Sequence, residues 1–446
     1  MKEKSLIQGE PWKLILAFAV PVLLGQLLQQ LYNTVDTIIV GQYAGEAALA
    51  AVGTSHSLVM FFLSLANGFS AGAGVIIAQQ FGRGAYDEMR RTAAGSIGLM
   101  LFMGLAATVA AILAARPVLG GLMAASESFL AMAVMYFRIY ALGLLFQFGY
   151  NIVAAVLRAV GDSKATLYFL LIASGANILL DLLFVAALNM SVAGAALATG
   201  IAQLGSMAAA FFYMFRKYEI FRFKRTDLHF DPAVWKSVLT VGFPMALQQM
   251  IVSMGFFLLQ RAVNEFGQAM TASFTVGQRL EVYMLMPASS LQITMATYTG
   301  QNIGAGRMDR IRTGIRQTIG ISFLGTAVLS LLAFVFSDPL IRLFSISEDA
   351  FFYCHQHLRF TAVAMLLFSL YFPVLGLFQG AGDAMAATLV ATTALTMRVL
   401  STYTLRNVPA FGYRIIWMNI MFGFTFAFLV TWIHYFRGSW KHKKRL

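Results

Sequence analysis

Twelve stretches of this chain are apolar over about 20 residues or more, the length an α-helix needs to cross a bilayer. They run over 14–40, 51–80, 93–114, 129–157, 165–187, 192–215, 237–263, 272–300, 315–336, 354–379, 385–405 and 413–435. Inside lipid every backbone N–H and C=O must find a partner within the protein, which leaves helices or a closed barrel. The runs lack the two-residue alternation of barrel strands, so the expected fold is an all-α membrane protein. Charged residues make up 11% of the chain, against roughly 25% in a water-soluble domain. The first run is too long for the apolar core of a signal peptide and reads as a retained span. A single cysteine, Cys354, excludes an intrachain disulfide.

The net charge of +13 raises the question of nucleic acid, but the basic residues sit in short loops between the apolar runs. They are also unevenly shared. The N-terminal tail, the loop with Arg83, Arg90 and Arg91, the segment from Arg216 to Lys236, the loop with Arg307, Arg310, Arg312 and Arg316, and the C-terminal tail fall on one side. With Arg158 and Lys164 that side holds 22 Lys and Arg, against 4 (Arg116, Arg342, Arg406 and Arg414) on the other. The positive-inside rule then places both termini in the cytoplasm of a multi-pass protein in a prokaryotic plasma membrane. Attraction to lipid headgroups accounts for the charge, and no nucleic acid is expected as a partner.

The two halves repeat at an offset of 221 to 223 residues. Trp12-Lys13 recurs as Trp235-Lys236, Pro21 as Pro244, Gln79 to Gly84 as Gln301 to Gly306, Arg138 as Arg359, and Gly161-Asp162 as Gly382-Asp383. Each half has six spans, so the repeats keep the same orientation in the membrane. The expected division is an N-terminal lobe at 1–215, a cytoplasmic linker at 216–236 and a C-terminal lobe at 237–446. Transporters commonly bind substrate between such repeats.

Most acidic residues lie in loops or at span ends, but Asp36, Asp181 and Glu281 lie well inside apolar spans. A carboxylate in a helix core costs roughly 2.5–3.5 kcal/mol even on the lenient insertion scale. It must therefore face the bundle interior, be neutralised, or bind a cation. Asn177 and Asp181 share a helix face, as do Tyr32 and Asp36. Thr199 lies in a run of small residues that permits close packing. Carboxylate, amide and hydroxyl oxygens suit a hard cation, and two carboxylates brought together can hold a proton between them. The alternative is a set of hydrogen-bonded acids that only tie helices together, and for Glu281, with Arg279 nearby, that alternative has more weight.

The repeat singles out the pair. Asp36 aligns with Leu259, Asn177 with Arg398 and Asp181 with Thr402, so the acids belong to the N-terminal half alone. Arg398 reads either as a fixed charge that keeps cations out of the other half or as a snorkelling side chain. Met190, Met207, Met250, Met254 and Met286 are candidates for an adaptable substrate cavity, with Glu281, although methionines also face lipid as a matter of course. His355 and His357 are spaced i,i+2 and do not converge on one metal. The glycine-rich loops lack a Walker lysine, so neither ATP hydrolysis nor another enzymatic activity is expected.

At this point the chain resembles the multidrug and toxic compound extrusion (MATE) family, in its bacterial DinF-like branch with acids in the N-terminal lobe. The resemblance is carried by Pro21, Gln26 and LYNTVDTIIVG around Asp36, by AQQFGRG, LRAVGDSKA and NILLDLLF, and by GFP, TGQNIGAG and QGAGD in the second half. It implies twelve helices in two pseudo-symmetric six-helix bundles arranged as a V. It implies a monomeric antiporter that exports cationic amphipathic organic compounds in exchange for inward H⁺ or Na⁺, with no cofactor. It assigns the coupling ion to Asp36, Asn177, Asp181 and Thr199, which would be the Na⁺ ligands if Na⁺ is used, supporting polar roles to Tyr32 and Gln26, and helix bending to Pro21. The alternative reading is a lipid-linked precursor flippase of the same broad superfamily. The acidic rather than cationic intramembrane pair argues against it.

Overall fold

The computed structural model describes residues 5–122, 127–223, 227, 231–344 and 346–442. Lys2, Lys4, Lys224, Arg225, Lys443, Lys444 and Arg445, which enter the charge argument, lie outside the described residues. The described residues form helices and connecting turns, with no strand.

In order the helices are α1 (Pro11–Ala44), α2 (Glu46–Arg83), α3 (Tyr86–Arg116), α4 (Glu127–Leu142), α5 (Leu144–Ala159), α6 (Ser163–Asp181) and α7 (Ser191–Lys217). They continue with α8 (Pro232–Asn264), α9 (Gln268–Gly304), α10 (Met308–Val335), α11 (Ser337–Arg342), α12 (Glu348–Gly380), α13 (Ala384–Leu405) and α14 (Ile415–Arg437). Among the described residues ten single helices are long and apolar enough to cross a membrane. Helices α4 and α5 form one further span, bent by 43° at Gly143. At the bend a side chain on Gly143 would meet the Gly200 backbone of α7 at 3.2 Å, so α7 packs closely against the span there. The twelfth span is α9. It is long enough but less apolar, because it buries Ser273, Glu281, Thr294, Thr299, Gln301 and Asn302 against its own unit.

The chain forms two compact units, and their boundary is not the expected one. The first comprises chiefly Leu24–Ala246, and the second Leu6–Leu23 with Leu247–Leu446. The chain changes unit inside α1, just after Pro21, and again inside α8, just after Pro244. The packing explains this. In the first unit, a Cβ at Gly72 would lie 2.5 Å from the Gly242 Cα, and one at Gly68 would lie 2.3 Å from the Ala246 backbone, so the start of α8 lies flush on α2. The Trp235 indole donates to the Gly95 carbonyl at 3.1 Å. In the second unit the Leu6 N–H donates to Gln301 Oε1 at 2.8 Å, and Asn302 Nδ2 donates to the Leu6 carbonyl at 3.3 Å, which pins the start of the chain to the end of α9. The segment at 216–236 is not a free tether either. Phe221 is fully buried, and Arg90 Nε donates to Asp227 at 3.0 Å, fixing the connection to the first unit.

The sequence repeat has a backbone counterpart. Gly45, Gly84 and Gly161 take positive φ (85°, 74° and 92°), and so do Gly267, Gly306 and Gly382 (93°, 72° and 82°), at matching positions in the second half. These are turn positions in the left-handed region that only glycine occupies without cost.

Candidate functional site

The site is built in the first unit from α1, α6 and α7. Asp36 lies eight residues before the end of α1, Asp181 closes α6, and Thr199 lies eight residues after the start of α7. Because α1 and α6 run toward the same side and α7 starts there, all three residues fall in the same half of the membrane thickness. The regular helix ends at Asp181. A π-helical turn, Leu182–Ala187, follows it, and then a turn in which Asn189 and Ser191 adopt φ of 52° and 51°. Such positive φ in non-glycine residues costs on the order of 1–3 kcal/mol each, so packing must enforce the backbone that carries Asp181.

The two carboxyl groups lie within hydrogen-bond reach of each other. Asp181 is 0% exposed and Asn177 3% exposed. With its amide oriented to satisfy both ends, Asn177 Nδ2 donates to Asp181 Oδ2 at 3.3 Å and its oxygen accepts from the Thr199 backbone N–H at 3.3 Å. The Thr199 hydroxyl donates to the Ala195 carbonyl at 3.0 Å, which leaves its lone pairs available to a ligand. One oxygen on each acid, Asp36 Oδ1 and Asp181 Oδ1, is buried without a hydrogen-bond partner. Unpaired buried carboxylate oxygens are costly, and a proton or a small cation would satisfy them.

Tyr32 stands one turn from Asp36 and feels its charge, as expected from the spacing. Gln26 lies on the same helix and in the same unit, further from the acids in sequence. Pro21 is buried in the second unit, at the point where α1 leaves it. Two residues of the site escaped sequence reasoning. Tyr136 and Tyr140 of α4 pack with their rings tilted and their centroids 6.0 Å apart, and the charge of Asp36 acts on both. Their i,i+4 spacing in an apolar span was the available signal.

The candidate methionines divide between the two units. Met190 and Met207 belong to the first unit, and Met250, Met254 and Met286 to the second. Met286 is buried, and Met254 is 65% exposed. A groove of ≈ 630 Å³ in the second unit is lined by Asn264, Gly267, Gln268, Thr271, Ala272, Thr275, Val276 and Ile346, and by none of the methionines. Glu281 belongs to the second unit, and the aspartates belong to the first. Its expected neighbour Arg279 points outward and is exposed, whereas the charge that reaches Glu281 comes from Arg398. Arg398 does not snorkel: it is buried and donates through Nε to Asn419 at 2.9 Å.

Comparison with known proteins accounts for the duplication. The MatE family model matches the chain twice, at residues 21–183 and at 244–404, one copy per half. The chain belongs to the MatE family. Both copies begin on the prolines at which the chain changes unit. The MatE chain is similar to the probable multidrug resistance protein YpnP of Bacillus subtilis, 29% identical over 445 residues, covering 100% of this chain and 99% of that one. It is also similar to the probable multidrug resistance protein NorM of Thermotoga maritima, 23% identical with 97% and 93% covered. Among solved structures, an outward-facing multidrug resistance MATE transporter of the MOP superfamily matches with a TM-score of 0.93 and 26% identity, over 100% of this chain and 99% of that one. A MOP superfamily transporter from Pyrococcus furiosus, whose binding pocket is described as having reverse polarity, matches with a TM-score of 0.93 and 25% identity over the same shares.

Proposed function

We propose that this MatE protein is a secondary antiporter of the plasma membrane that exports cationic amphipathic organic compounds in exchange for inward H⁺ or Na⁺, with both termini in the cytoplasm. The observation that carries the reading is the Asp36–Asp181 pair, a half-buried and a buried carboxyl group within hydrogen-bond reach, each with one buried, unpartnered oxygen. A lone structural acid would be expected to have its oxygens satisfied by the helices it joins. This pair is incomplete and is completed by a cation.

In the outward-facing state the pair takes up H⁺, or Na⁺ held by Asp36, Asp181, the Asn177 amide and the Thr199 hydroxyl. Uptake lowers the negative charge of the pair by one and weakens the attraction it exerts on a cationic substrate, which leaves outward. The loaded protein returns to the inward-facing state, and the ion escapes to the cytoplasm. Binding shifts the equilibrium only through its different affinity for the two states. Direction comes from the ion gradient, about 2.3 kcal/mol per charge per 100 mV.

The test is ethidium efflux from proteoliposomes under an imposed pH gradient or an imposed Na⁺ gradient, each alone. Accelerated efflux under one of them is expected. No response to either, with transfer of a lipid-linked pyrophosphate instead, overturns the reading in favour of a flippase.

A further inference from the structure

The second unit buries a polar cluster that the mechanism above does not use. Glu281 of α9 is 5% exposed and makes no hydrogen bond or ion pair with any described residue. His357 of α12 is 1% exposed, and both of its ring nitrogens lack a partner. Its ring lies between Phe274 (5.8 Å) and Trp417 (6.1 Å), nearly parallel to both, so it is held rigidly. The hydroxyl of Thr361, one turn further along α12, is likewise buried and unpartnered. Arg398 of α13 bonds to Asn419 of α14 and acts electrostatically on Glu281, His357 and Tyr371.

Glycines make room for this cluster. A Cβ at Gly277, one turn before Glu281, would lie 2.4 Å from His357 Nδ1, and one at Gly423, one turn after Asn419, would lie 2.4 Å from Arg398 Cγ. The polar side chains therefore occupy space that the helices open for them. The position is also telling. At the offset of the repeat, His357 corresponds to Tyr136, Thr361 to Tyr140, and Arg398 to Asn177. His357, Thr361 and Arg398 thus hold, in the second unit, the sequence positions that Tyr136, Tyr140 and Asn177 hold in the first, while Glu281 aligns with Val59 of α2.

We propose that Glu281, with Arg398 as its counter-charge, is a second proton-binding site, one that takes H⁺ and rejects Na⁺. The Glu281 carboxylate accepts one proton, and the net charge of the cluster rises by one. The positive charge of Arg398, buried in the same unit and acting on Glu281, disfavours a metal cation there. Burial disfavours the charged form of an acid, and a neighbouring cation favours it. The remaining titratable or charged groups around it are His357 and Tyr371 on α12. On α9, Arg279 is exposed, and α10 carries its charges, Asp309, Arg310, Arg312 and Arg316, only at its opposite end.

The test is infrared difference spectroscopy between acidic and alkaline samples of the full-length protein carrying Asp36→Asn and Asp181→Asn, which isolates the second unit from the pair. We expect a titrating carboxyl band that survives in this double variant and is lost on adding Glu281→Gln. Replacing NaCl with choline chloride should leave the band unchanged. If Glu281→Gln does not fold, Glu281→Asp serves, and the band should shift. A double variant with no titrating buried band, a band indifferent to the Glu281 substitutions, or a band displaced by Na⁺ overturns the proposal. Each of these outcomes is independent of whether the aspartate pair drives transport.

Discussion

Asp162 and Asp181 are both buried carboxylates of the first unit, and their surroundings give them opposite tasks. Asp162 caps α6 through the Ala165 N–H and accepts from Lys217 Nζ at 2.6 Å and from the Tyr213 and Tyr218 hydroxyls at 2.8 Å each. Burial pushes its carboxyl up, but the hydrogen bonds from Lys217, Tyr218 and Tyr213 prevail and hold it below the ordinary range. An acid depressed in the folded state stabilises fully above its unfolded value, about 3.9, and loses that contribution only as pH falls through the folded value. Asp162→Asn should therefore cost about 1–3 kcal/mol near neutral pH. Thermal unfolding in detergent should show the loss at pH 7 and a shrinking difference from the parent in strong acid. A constant difference across that range contradicts the account. Asp181, by contrast, has a single amide donor and an orphaned oxygen, in keeping with the loading site proposed for it. At this scale the acids were legible because lipid does not tolerate them unassisted. Their approach to each other was not, because helical spacing places residues on a face and says nothing of which faces meet. The same limit paired Glu281 with Arg279 by proximity in sequence: Arg279 is exposed, and the charge that acts on Glu281 is that of Arg398 on α13.

At the scale of the element, the apolar runs revealed the spans, and their irregularities stayed hidden. Hydropathy does not record the bend at Gly143, where α7 packs closely against the span, or the π-helical turn after Asp181. The most consequential contact of this kind is α2 on α8. Gly72 and Gly242 meet backbone to backbone, so a side chain at Gly72 has nowhere to go. Gly72→Val should destabilise the protein by about 1–3 kcal/mol through overpacking. Gly53→Ala, on the same helix with nothing within 4 Å, should be nearly neutral. Thermal stability of the two purified variants checks the contrast, and equal effects would contradict the packing account. The prolines are a related case. Pro21 and Pro244 lie inside continuous helices and remove one ladder hydrogen bond each, and the chain changes unit within three residues of both.

For the whole molecule, the repeat was legible because landmark residues hold register over about 222 positions, and two matches to one family model express the same fact. The exchange of helix halves was not legible. A loop rich in charge at 216–236 is a natural boundary to read, yet a compact unit is defined by side-chain contacts, and these cross from α8 to α2 and from Leu6 to α9. Orientation rests on the distribution of Lys and Arg, and it makes its own prediction. In a Cys354→Ser background, Val408→Cys should react with a membrane-impermeant maleimide on intact cells, whereas Lys441→Cys should react only after the membrane is opened. The reverse pattern would invert the topology and with it the direction of export.

The central claim is that Asp36 and Asp181 form one coupling site in one half of a duplicated transporter. Gradient-driven ethidium efflux from proteoliposomes, compared for the parent, Asp36→Asn and Asp181→Asn proteins at equal reconstituted amounts, tests it most directly. The account predicts that each single variant inserts normally and loses at least about tenfold in gradient-driven rate, the equivalent of 1.4 kcal/mol. It also predicts that the double variant is no worse than either single one, because the two acids act as a unit. Parent-like efflux from either single variant contradicts it.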